Sequence, residues 1–104
     1  MDEVFEDSRA LSWDQFVKSG FDGRDYKFPD FEGDCAAVIA CKRWNKNHNL
    51  LVYLDAKDGR KIITAARGKD NFYGLADLPV GTRVLVTFGA SDQGNFFLRG
   101  AEEL

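Results

Sequence analysis

A chain of 104 residues with 44% hydrophobic and 13% aromatic content has the length of one domain and the material for one small core. No run approaches the roughly 20 apolar residues of a membrane-spanning helix, and residues 1–7 are acidic where a secretory signal is basic and then apolar, so a cytoplasmic location is expected. The formal net charge of −3 is sorted by position: residues 1–34 carry −6, residues 35–69 carry +6 and residues 70–104 carry −3.

Residues 1–33 read as an acidic N-terminal extension with one short helix. Ser12 and Gln15 have capping-box spacing, Leu11 and Phe16 stand at the staple positions, and Gly20 suits the left-handed residue that ends a helix. The spacing predicts a helix over Trp13–Ser19, docked through Phe16, Val17 and Trp13, with Phe21 packing back against its end. Residues 22–33 show no helix or strand period. They interleave Tyr26, Phe28 and Phe31 with Asp22, Asp25, Asp30 and Glu32, which makes an aromatic, acidic arm pinned to the core by Phe28 and Phe31.

The rest reads as five strands. Residues 35–44 are apolar on both faces until Lys42, residues 45–49 are a polar loop, and residues 50–56 are a second strand. Asp58-Gly59 has the composition of a two-residue type I′ hairpin turn leading into a third strand at 61–67. That turn predicts the pairs Leu54 with Ile63, Tyr53 with Thr64 and Val52 with Ala65. Leu50, Val52, Leu54, Ile63 and Ala65 then form the core face, and Leu51, Tyr53, Asp55, Ile62 and Thr64 a partly solvated one. Residues 68–81 break the strand pattern. Residues 82–88 alternate, with Val84, Val86 and Phe88 inward; 91–94 are a turn, 96–99 a fifth strand and 100–104 an acidic tail. The expected core joins Val52, Ile63, Val84 and Val86 to one of Phe96 or Phe97.

Cys35 and Cys41 share one face of an extended strand but lie about 20 Å apart, against the roughly 7 Å that a disulfide tolerates, so both are expected to be free thiols in a reducing compartment. There is no Cys-x-x-Cys, and His48 is the single histidine, so neither metal nor cofactor is expected. The chain carries no nucleophile elbow and no phosphate-cradling glycine loop, and is read as non-catalytic.

A three-strand meander, a connecting segment and a final hairpin, with the lead-in Leu-Pro-Val-Gly-Thr-Arg-Val-Leu-Val-Thr-Phe at 78–88, resembles the OB-fold, a five-stranded Greek-key barrel. The fold class is therefore all-β with a short N-terminal helix, the OB-like barrel occupying residues 34–104; an SH3-like barrel is the alternative. The resemblance implies a ligand across strands 2 and 3 and the loops joining strands 1–2 and 4–5. On this chain that surface holds Lys42, Arg43, Lys46, Arg60, Arg67 and Lys69 as phosphate contacts, with Trp44 and Tyr53 as stacking platforms. Single-stranded DNA or RNA is the partner so implied. The alternative is a protein-binding module, or a small inhibitor or accessory protein of the phage or mobile-element type, acting through the acidic aromatic arm. An arm packed over Tyr53 favours protein binding or self-blocking of the face; an arm behind the sheet leaves the basic face free.

Overall fold

The N-terminal segment folds locally as its capping residues dictate. In the computed structural model, which describes residues 10–45, 49–65, 75 and 78–104, helix α1 spans Trp13–Ser19. The Ser12 hydroxyl accepts from the Gln15 amide at 3.2 Å, and the Gln15 side chain accepts from the Ser12 amide at 2.9 Å. Gly20 closes the helix at φ 77°, a left-handed conformation that costs a residue with a Cβ. The helix docks through Phe16, on which Trp13 stacks at 5.7 Å between ring centroids. Val17, expected at the docked face, is instead 59% exposed.

Five strands follow: β1 (Gly33–Trp44), β2 (Leu50–Ala56), β3 (Lys61–Ala65), β4 (Arg83–Ala90) and β5 (Phe96–Glu103). They form one sheet in the order β3-β2-β1-β4-β5, and every neighbouring pair is antiparallel. The sequence β4-β1-β2-β3 across the sheet is a Greek key, a meander whose fourth strand returns beside the first. Among the described residues the edge strands β3 and β5 approach one another without a ladder of backbone bonds, so the sheet is not closed there. The expected acidic tail is the second half of β5, paired with β4 as far as Glu103 opposite Val84.

The β2–β3 register differs from the expectation by one residue. Tyr53 pairs with Ile63, Leu54 with Ile62 and Val52 with Thr64. The turn is not a two-residue one: Lys57, Asp58 and Gly59 bridge Ala56 to Arg60, whose carbonyl accepts from the Ala56 amide at 2.8 Å, and Gly59 takes φ 98°. A three-residue loop ending in a left-handed glycine is the next commonest hairpin after the I′ type. The added residue moves every β3 side chain to the other face. Ile62 joins Leu54 in the main core, and Ile63 packs with Tyr53 and Leu51 on the opposite side.

The two faces carry two cores. The inner core gathers Ile39, Val52, Leu54, Val84, Val86 and Phe88, each at most 1% exposed, with Leu98 contributed by β5. Leu98 takes the place expected of Phe96 or Phe97; Phe97 is 46% exposed. The outer core gathers Phe16, Cys41, Leu51, Tyr53 and Ile63, with Leu11, Phe21 and Tyr26 against them. A bulge in β1 between Ile39 and Cys41 feeds both cores. It leaves Cys35 in the inner core and puts Cys41 in the outer one, so the two free thiols do not share a face as an unbroken strand would have it.

The N-terminal segment is tied to the sheet at two points. Leu11 continues the sheet beside Arg43 of β1, exchanging backbone bonds with Lys42 and Trp44 at 2.9 Å each. Lys27 bridges Ile62 on the outer edge of β3, donating to the Lys61 carbonyl at 3.1 Å and accepting from the Ile63 amide at 2.9 Å. The second bridge also covers an edge that would otherwise offer free backbone groups to another strand.

Candidate functional site

Between those two ties the arm lies across the outer face of β2 and β3. Tyr53 is at its centre and is 3% exposed. Its ring stacks on Phe16 at 5.6 Å and meets the edges of Phe21 at 5.0 Å and Tyr26 at 5.1 Å. Gly23 lies against the same ring: a Cβ there would come within 2.6 Å of Tyr53 Cε2. The Tyr53 hydroxyl accepts from Arg43 Nε at 3.0 Å. The Tyr26 hydroxyl donates to Asp55, and burial together with that carboxylate pushes the phenol's pKa up, so it stays a donor. The Cys41 thiol below is pushed up as well, chiefly by burial.

Of the cations expected to face a polyanion, Lys42, Arg43 and Arg60 are among the described residues. The β1 bulge turns Lys42 onto the inner face opposite Val52, where it is 1% exposed and its Nζ donates to the Leu78 carbonyl at 2.7 Å. Arg43 is half-buried, its guanidinium 5.2 Å from the Trp13 ring centroid and 5.0 Å from that of Phe16. Arg60 pairs with Asp58 at 2.7 Å and lies over Phe31 at 4.0 Å, and its hydrogen bonds hold Asp58 below the usual carboxylate range. Lys61 reaches Asp55 at 3.5 Å. Trp44 is 39% exposed at the end of β1. Lys46, Arg67 and Lys69 lie outside the described residues, as does His48. The structure thus brings Arg43 and Tyr53 together at the edge of the arm, leaves Trp44 and Arg60 exposed, and puts Lys42 inside.

The layer's own outer surface presents different residues. Trp13 is 57% exposed and Val17 is 59% exposed. At i and i+4 they share one side of α1. Beside them runs an open groove of about 560 Å³, floored by Phe16, Phe21 and Tyr53 and walled by Trp13, Arg43 and the Gly20–Arg24 turn. In that turn Arg24 donates to both carboxylate oxygens of Asp22 at 3.0 Å, which holds the Asp22 pKa down to about 2. The two charges cancel at the rim. Arg43 is different: Nε is bound to Tyr53, and its two terminal nitrogens have no hydrogen-bond partner among the described residues. The sequence carries a signal for this surface, the Trp13–Val17 pair. Its exposure followed only once Phe16 alone proved sufficient to dock a helix of two turns.

Among the described residues no group of His, Cys, Asp and Glu is arranged to hold a metal ion, and no helix is long and apolar enough to cross a membrane. No family model, curated protein or solved structure matches this chain.

Proposed function

We propose that this protein is a non-catalytic protein-binding module whose contact surface is the layer formed by α1 and the arm. One observation carries the reading: Tyr53 and the β2–β3 face, where a nucleic-acid strand would lie on an OB-like sheet, are covered by the chain's own Phe16, Phe21, Gly23 and Tyr26. The Greek-key order and the approach of β3 to β5 support an OB-like barrel left open at that seam. Its customary binding face is then a structural interface, and recognition passes to the layer on top. That layer exposes a tryptophan stacked on a ring below, with a guanidinium beside it. Tryptophan and arginine in a pre-formed setting are the residues that dominate protein interfaces. The buried, free cysteines suit a reducing, cytoplasmic setting.

A second reading keeps single-stranded DNA or RNA as the ligand, on the exposure of Trp44 at the end of β1, two positions before Lys46 in the sequence. Stacking on that ring, at roughly 1–3 kcal/mol per base, would be restricted to one end of the sheet. Two measurements separate the readings. Immobilised full-length chain should retain a protein that Trp13→Ala and Val17→Asp release and Trp44→Ala keeps. Labelled single-stranded oligonucleotides, titrated at two salt concentrations, should not bind. Oligonucleotide binding that weakens with Trp44→Ala and ignores Trp13→Ala would replace the first reading with the second.

A further inference from the structure

The groove between Trp13 and Arg43 has a chemistry of its own, and with it the partner's docking segment can be specified. We propose that the groove takes a short acidic peptide segment of the partner, seating one apolar side chain on the Phe16–Phe21–Tyr53 floor and one carboxylate on Arg43. This rests on the protein-binding reading and adds the class of ligand. The floor is three rings already packed edge to face and face to face, so an entering side chain meets a preformed apolar surface. Among the described residues, Arg43 is the one cation of the wall without a carboxylate partner. Asp22 and Arg24 neutralise each other at the rim through two bonds of 3.0 Å. Arg43 is fixed from behind by its bond to the Tyr53 hydroxyl and from below by the Phe16 ring. Its terminal nitrogens form the end of a planar fork, which suits a carboxylate through two parallel hydrogen bonds. Because the fork is already held, little side-chain entropy is lost when it is used. A lysine-bearing segment would set like charge against the same guanidinium.

The test uses the full-length chain and a fluorescein-labelled short peptide with a central Phe flanked on both sides by Glu, against the same peptide with Lys in place of Glu. Fluorescence polarisation should show saturable binding of the glutamate peptide at least about tenfold tighter than that of the lysine peptide, as expected for a charge-assisted pair. Trp13→Ala, on an exposed side chain whose loss leaves the core intact, should abolish the binding. Arg43→Gln should reduce the preference for glutamate over lysine to near unity, and Arg43→Lys should restore part of it. Titration of the unlabelled peptide into Trp44→Phe protein should shift the emission of Trp13, the tryptophan that remains. Equal binding of the two peptides, or no binding of either at millimolar concentration, would overturn the proposal. If the Trp13-dependent protein partner is still retained in that case, the protein-binding reading stands and only the ligand class falls. Concentration-dependent self-association lost in Trp13→Ala would also overturn it, because the occupant would then be a second copy of this chain.

Discussion

The outer face of the sheet is treated in two ways by the same chain. Over β2, β3 and the end of β1 it is a second core: Leu51, Tyr53 and Ile63 are buried beneath Phe16, Phe21 and Tyr26. Over β4, β5 and the start of β1 it remains a surface. Ala36, Val38, Leu85 and Thr87 are half-buried there, Arg83 is exposed, and Phe97 is 46% exposed. The strands announce the difference. β4 alternates buried and half-buried residues from Val84 to Phe88, the signature of a sheet with one wet face, whereas β2 is buried at every position but Asp55. A strand that is apolar on both sides needs a layer on both sides. Here the second layer comes from one two-turn helix and an arm whose one regular tie to the sheet is the Lys27 bridge.

The largest expected effect tests that asymmetry directly. Tyr53→Ala removes a ring that three others pack against and should destabilise the protein by about 3–5 kcal/mol, in the range of other large aromatic deletions from cores. Leu85→Ala on the open half should cost about 1 kcal/mol, because the side chain is already half in water. Urea unfolding followed by circular dichroism measures both. Equal losses at the two sites would mean that the arm does not form a core with β2 and β3.

Two glycines make the next comparison. Gly23→Ala puts a methyl within 2.6 Å of Tyr53 Cε2, and that ring is held by its neighbours on the other sides. Overpacking of this kind should cost about 1–3 kcal/mol. Gly89→Ala on the open half brings a methyl within 2.3 Å of Arg99 Cδ. Arg99 is exposed and can move aside, so the expected cost is about 1 kcal/mol or less. A larger loss at Gly89 than at Gly23 would show the arm to be the looser of the two regions.

How far the sequence foretold this architecture follows from the same contrast. Helix α1 was legible to the residue, because the capping box and Gly20 act within one turn of each end. The inward set of β4 was legible, because one wet face leaves an alternation to read. The β2–β3 register was not. Ile62 and Ile63 are both apolar, and β2 is apolar on both faces, so either register buries one isoleucine against the inner core and the hydrophobic pattern cannot choose. The turn decides instead, and Asp58-Gly59 fits a two-residue loop and the last two places of a three-residue loop equally well. The same apolar outer face puts Tyr53 beneath the arm instead of on an open sheet surface. The bulge after Ile39 turned Lys42 inward, since one added residue reverses which side chains face inward and no residue type marks its place.

Ser12→Ala should act on the covered half alone. It removes the hydroxyl that satisfies the Gln15 amide, a change worth about 1 kcal/mol in exposed caps. The helix that holds Phe16 over Tyr53 would fray from its first turn. Hydrogen exchange should speed up at the amides of α1 and leave β4 and β5 unchanged. Uniform acceleration across the sheet would mean that the layer and the sheet open as one unit.

The smallest effect is electrostatic and separates the rim of the arm from its packed floor. Asp22 is exposed and its pKa is held at about 2 by hydrogen bonds from Arg24, below the value of about 3.9 that an aspartate has in an unfolded chain. A depressed carboxylate contributes stability that is complete above its unfolded pKa and is lost as pH falls through its folded pKa. Asp22→Asn mimics the protonated form. Its melting temperature should therefore lie slightly below that of the parent at all pH values above about 4, and the gap should close as pH falls towards 2. The gap should also shrink in high salt, because both partners are in water. Gly23→Ala, one residue away, should show a deficit that neither pH nor salt alters, because it arises from contact with a buried ring. A gap for Asp22→Asn that persists at pH 2 would mean that Asp22 is part of the packed floor, and that the boundary between rim and core lies further out along the arm.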